Sequence, residues 1–166
     1  GAGISVKGNT SESKTPLEEA VNANSIECVR LLLERGADVN TETYYYFKPF
    51  KYRNNTQTAA QKLVHGDASR IDFERMTPLH RAVTHGNLEM VRLILARKPS
   101  LNKDSHFGGY PLDFAVELRY AEIAREIHSA GGKLLFPEMY LSRFASGGDA
   151  EMLDLVCSFG APIDKK

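Results

Sequence analysis

Apolar residues recur along this chain at helical spacing in short, separate blocks. Ile26, Val29, Leu32 and Leu33 share one face of the first block, and Leu88, Val91, Ile94 and Leu95 repeat that spacing in a second. Ala121, Ala124, Ile127 and His128 form a weaker third copy, and Ala150, Leu153, Val156 and Cys157 a fourth. A stripe at i, i+3, i+6 and i+7 is the apolar face of an amphipathic helix. It is too wide for one short partner to cover, so each block predicts a helix that stacks against neighbours of its own kind. The small residues of the third stripe predict looser packing there.

A second, shorter signal precedes each of the first three stripes. Thr15-Pro16-Leu17-Glu18-Glu19-Ala20, Thr77-Pro78-Leu79-His80-Arg81-Ala82 and Tyr110-Pro111-Leu112-Asp113-Phe114-Ala115 open alike. Thr15 suits a helix N-cap, Pro16 the first helical position, and Glu18 completes a capping box. Gly36 and Gly160 fall just past a stripe, where a left-handed C-cap is needed. The fourth stripe is preceded by Met139-Tyr140-Leu141-Ser142-Arg143-Phe144, which lacks the Thr-Pro start.

A 33-residue period with Thr-Pro-Leu-His-x-Ala is the signature of ankyrin repeats. Pro78 and Pro111 are one such period apart, and Thr77 to Ala82 matches the fixed positions of the motif. Over about residues 15–40 and 72–164 the chain resembles the ankyrin-repeat family. The resemblance implies an all-α solenoid of four helix-turn-helix repeats joined by short turns or hairpins, near 15–40, 72–104, 105–136 and 137–164. A degenerate last unit is expected, because terminal repeats cap the stack. Residues 1–14 are expected to be a flexible N-terminal segment.

Residues 41–71 break the period, since Pro16 and Pro78 lie nearly two periods apart with no Thr-Pro start between them. They are either a finger loop inserted between two repeats or a fifth repeat that has degenerated, and the sequence leaves both open. Within them Tyr44 to Arg53 hold six aromatic and three basic residues with no acid. Tyr44, Tyr45, Tyr46, Lys48, Lys51 and Arg53 are therefore candidates for a recognition arm. The competing reading folds several of the rings back over the first repeat, because six exposed aromatics endanger solubility.

Charge narrows the partner class. With 21 basic and 21 acidic residues the formal charge is zero, so no global field draws the chain to nucleic acid or an anionic membrane. Stacking of bases on the Tyr-rich basic stretch is the minor reading. No apolar run reaches membrane-spanning length. Cys28 and Cys157 make no disulfide framework, are expected to act as small core hydrophobes, and fit an intracellular setting.

Chemistry finds no foothold. The chain lacks a nucleophile elbow, a Cys–His signature, a zinc-type motif and a phosphate-binding loop, which predicts a non-enzymatic protein with no cofactor and no metal. His80 is expected to hydrogen-bond its own turn and the neighbouring repeat, as the family resemblance implies. That resemblance further implies a concave palm of first helices and a row of finger turns, on which a protein or peptide binds. Carried over by motif position, the palm comprises Glu19, Asn22 and Ala23; Arg81, Thr84 and His85; Phe114, Glu117 and Leu118; and Arg143, Ser146 and Gly147. Phe107 and Tyr110 in the turn before the third unit are added as finger contacts. Phe114 and Leu118, one helical turn apart, are the apolar pair at exposed family positions. Two further readings are a regulatory or targeting part of a larger catalytic or effector protein, and a nucleic-acid-associated module.

Overall fold

A computed structural model describes residues 14–46, 73–105 and 109–163. Among them eight helices form four antiparallel pairs: α1 (Pro16–Asn22) with α2 (Ile26–Glu34), α3 (Pro78–Thr84) with α4 (Leu88–Leu95), α5 (Pro111–Glu117) with α6 (Ala121–Ser129), and α7 (Pro137–Gly147) with α8 (Ala150–Ser158). First helices stack on first helices, α1 on α3 on α5, and second helices stack on second, α2 on α4 on α6. One apolar core runs through all four pairs, from Leu17 to Ala161. This is the all-α repeat solenoid that the period predicts.

Local chemistry starts and stops each helix. Thr15 Oγ1 accepts the Glu18 backbone N–H at 3.3 Å while Glu18 Oε2 accepts that of Thr15 at 2.8 Å, so two orphan donors are satisfied reciprocally. Thr77 and His80 repeat the exchange at α3. Second helices are capped by Ser25, Asn87 and Asp149, whose side chains accept from the residue three ahead. The turn within each pair needs one left-handed residue, supplied by Asn24, Gly86, Arg119 and Gly148.

The last pair departs from the others. Its opening proline, Pro137, follows Pro111 more closely than its left-handed turn residue, Gly148, follows Arg119. Helix α7 therefore starts one turn early, at a proline upstream of the expected front half. Counted back from Gly148, Tyr140 takes the place of Pro78 and Pro111 and is buried in the core, where its hydroxyl donates to the Asp113 carbonyl at 3.4 Å.

Two sequence expectations need correction. The third unit is not loose: Ala124 and Ile127 are fully buried, and it is Ala150 of the terminal pair that is exposed. Nor is Cys28 a core residue, being exposed, while Cys157 is half-buried. The counterparts of Cys28 in the later units, Met90, Ile123 and Met152, are buried. Each of those helices has a unit before it, and no described unit precedes α2.

Between the first and second pairs, β1 (Thr43–Tyr46) and β2 (Phe73–Met76) form an antiparallel ladder with Thr43 opposite Met76 and Tyr46 opposite Phe73. The alternatives for 41–71 turn on residues 47–72, which lie outside the described residues, as do residues 1–13.

Candidate protein-interaction surface

The first helices present one row of side chains across the stack, and polar bonds tie it at both ends. Arg81 Nε donates to Asn22 Oδ1 at 2.7 Å, linking the first and second units. Arg143 pairs with Glu117, linking the third and fourth. Lys14 Nζ lies 3.5 Å from the Glu19 carboxylate. Thr84 and Ser146 each donate the hydroxyl to the carbonyl three residues back, Arg81 at 2.8 Å and Arg143 at 3.0 Å.

The middle of the row is apolar. Phe114 is half-buried and meets the His80 ring edge-on, with centroids 5.4 Å apart at 82°. Leu118, also half-buried, caps the same helix one turn on. Facing them from the second unit stand half-buried Thr84 and exposed His85. Desolvation first, then the Arg81 guanidinium, holds the His85 imidazole below its ordinary range.

Beneath this row lies a buried polar layer that sets the position of Phe114. His80 Nδ1 accepts the Thr77 N–H at 3.3 Å, which leaves the proton on Nε2 to donate to the Gly109 carbonyl at 3.3 Å. Burial lowers its pKa to about 4. In the third unit Asp113 takes the same helical position and accepts N–H groups from Tyr110 at 2.9 Å and Leu135 at 3.1 Å. Burial raises its pKa. Both side chains thus hold the turn that follows their own unit.

Of the residues expected in the palm, Asn22, Arg81, Thr84, Phe114, Glu117, Leu118 and Arg143 are half-buried on this row, and Glu19, Ala23, His85, Ser146 and Gly147 are exposed. Tyr110 is half-buried at the N-cap of α5. The side chains of Tyr44, Tyr45 and Tyr46, and all of Lys48, Lys51, Arg53 and Phe107, lie outside the described residues. Sequence reasoning missed Phe136, which is 41% exposed at the N-cap of α7; the Phe136-Pro137 pair carried the signal. Among the described residues no group of three or more His, Cys, Asp or Glu could hold a metal ion, and no helix is long and apolar enough to cross a membrane.

Comparison with known proteins agrees with this architecture. A family model described as ankyrin repeats in three copies matches residues 51–134, and a single ankyrin-repeat model matches 13–44. The chain is 31% identical over 124 residues to cyclin-dependent kinase 4 inhibitor B of Rattus norvegicus, covering 72% of this chain and 95% of that protein. It is 33% identical over 95 residues to the probable 26S proteasome regulatory subunit p28 of Saccharomyces cerevisiae, covering 54% and 42%. The human ASB11 ankyrin repeat domain superposes with a TM-score of 0.63 at 20% identity, over 98% of this chain and 61% of that one. At that identity the likeness speaks for the fold alone. With half the chain matched by the repeat model and the stacked helix pairs in place, this chain belongs to the ankyrin-repeat family.

Proposed function

We propose that this chain is a non-enzymatic recognition module that binds a protein or peptide across its row of first helices, centred on Phe114 and Leu118. The observation that carries this reading is a half-exposed apolar pair one turn apart in mid-row, flanked by polar side chains already bonded to each other. An incoming apolar side chain buries surface there without stranding an unpaired charge. The named roles of relatives point the same way: one is an inhibitor of a cyclin-dependent kinase and another a proteasome regulatory subunit, both defined by action on other proteins.

An intracellular setting is part of the proposal. Cys28 is free and exposed, which suits a reducing compartment; microscopy of a tagged chain that locates it only outside the cell would contradict this.

The test is capture from cell extract by wild type, a Phe114→Ala/Leu118→Ala variant and a Leu118→Glu variant, all matched for melting temperature. Leu118→Glu leaves the Phe114–His80 contact in place. Proteins retained by wild type and lost from both variants support the row as the binding surface. Proteins retained by all three sink it and move the search to the Tyr-rich stretch, where steep salt dependence would favour the nucleic-acid reading.

A further inference from the structure

We infer that Ser100 is a phosphorylation site for a basic-residue-directed protein serine kinase. The inference is independent of the row around Phe114. It begins with Arg97-Lys98-Pro99-Ser100-Leu101, which places two cations three and two residues before a serine and an apolar residue after it. A kinase cleft lined with carboxylates at the matching positions reads such cations by charge complementarity.

Structure separates Ser100 from other hydroxyls with an arginine three residues before them. Thr84 follows Arg81, and Ser146 follows Arg143, in the same way. In both, the hydroxyl donates to that arginine's own carbonyl within a helix. Arg81 is bonded to Asn22, and Arg143 is paired with Glu117. Thr56, after Arg53, lies outside the described residues.

Ser100 meets none of these obstacles. It is exposed in the loop after α4, as are Arg97 and Lys98. Among the described residues neither cation has an ion pair, and the Ser100 hydroxyl makes no hydrogen bond. Its backbone N–H is engaged, donating to Asn40 Oδ1 at 2.7 Å, but that bond does not use the atom to be modified. Lys98 is left-handed at φ +52°, a conformation that side chains other than glycine rarely hold. Extending the loop into a cleft therefore releases strain at Lys98, while Pro99 must leave its buried position.

The reaction transfers the γ-phosphoryl group of ATP. The Ser100 Oγ–P bond forms as the bond to ADP breaks, and the kinase's catalytic carboxylate takes the hydroxyl proton. The product carries a near-dianion beside Arg97 and Lys98, which capture it by charge-assisted hydrogen bonds. It stands where Asn40 of the first unit meets the second.

The folded chain is incubated with ATP and the catalytic subunit of cyclic-AMP-dependent protein kinase, and the phosphate is located by fragment mass spectrometry. Incorporation at Ser100 is expected, with loss in Ser100→Ala, retention in Ser100→Thr and at least a tenfold slower rate in Arg97→Gln. Arg97 is exposed and has no ion pair among the described residues, and equal circular dichroism confirms that its variant is folded. Phosphate at Thr84 or Ser146 instead of Ser100, or an unchanged rate in Arg97→Gln, overturns the inference.

Discussion

The Nε2 of His80 lies 3.3 Å from the carbonyl oxygen of Gly109, so a side chain in the second unit holds the turn that opens the third. The same imidazole accepts from Thr77 on its other nitrogen and is fully buried. Both ring nitrogens are committed in the neutral form, and a proton added to Nδ1 displaces the Thr77 N–H. One link between the second and third units thus depends on the charge state of a single buried group.

Stability should therefore fall with acid through His80. Its folded pKa is about 4 against an ordinary 6.5, so between these values the unfolded chain binds more protons. The contribution is complete above pH 6.5 and is lost as pH falls toward 4, amounting to at most about 3 kcal/mol. Urea midpoints of wild type and His80→Gln at pH 7.5 and 5 test this. The gap between the two proteins should narrow at pH 5; a pH-independent gap contradicts the assignment. Raised carboxyls such as Asp113 act in both proteins and cancel in the difference.

In the first unit the equivalent position is Glu18, which follows its N-cap Thr15 as His80 follows Thr77. One oxygen closes the capping box, but Oε1 is buried with no hydrogen-bond partner among the described residues, and burial raises the pKa. Glu18→His supplies a neutral donor where the second unit has one. We expect a gain of about 1 kcal/mol at pH 7.5, from a buried donor satisfied and a desolvated charge removed. Loss of stability in the urea midpoint would show that the first turn offers no acceptor.

Much of this is legible in the chain because helix caps and stripes are local signals. Thr77-Pro78-Leu79-His80 announces its own cap and its inter-unit bond, and Val91 and Ile94 announce the core. The start of α7 is hidden because Pro137 follows Phe136, which does not cap, while Met139-Tyr140-Leu141 stands nearer the expected period. Cys28 misleads for another reason: alignment to Met90 identifies the position on the helix but not whether a unit covers it. The candidate surface is legible as positions only. That Asn22 bonds Arg81, and Glu117 pairs with Arg143, depends on rotamers that the stacking distance selects.

Gly86 is expected to accept a side chain only at a cost. Its φ is +67°, and a Cβ there would stand 2.9 Å from Tyr120 Cζ in the next unit. Gly86→Ala should destabilise by about 1–3 kcal/mol from left-handed strain plus crowding. A double-mutant cycle with Tyr120→Ala separates the two terms. Only the crowding part recovers, and full recovery would show that the backbone conformation carries no penalty.

Ile94 and Leu31 make a second contrast, between core and end face. Ile94 is fully buried in α4, whereas Leu31 in α2 is 51% exposed. Ile94→Ala should cost about 2–5 kcal/mol through its cavity, and Leu31→Ala less than about 1 kcal/mol. Chemical denaturation of both variants tests the helix register. A loss below about 0.5 kcal/mol at Ile94, the range of surface substitutions, would contradict it.

Residues 47–72 should be removable. The strands that flank them pair with each other, ending at Tyr46 opposite Phe73, and α1 and α2 already pack on α3 and α4. The described residues therefore already join the first two units. Replacing that whole segment by Asn-Gly supplies a two-residue turn whose twist matches an antiparallel ladder. Shortening the connection also lowers the entropy of loop closure, by up to about 2 kcal/mol. We expect a folded chain whose melting temperature is equal to or above that of the parent, with an unchanged urea m-value, which reports the surface exposed on unfolding. A smaller m-value with lower stability would show instead that these residues contribute a packed unit, and would favour the degenerate fifth repeat over the inserted finger.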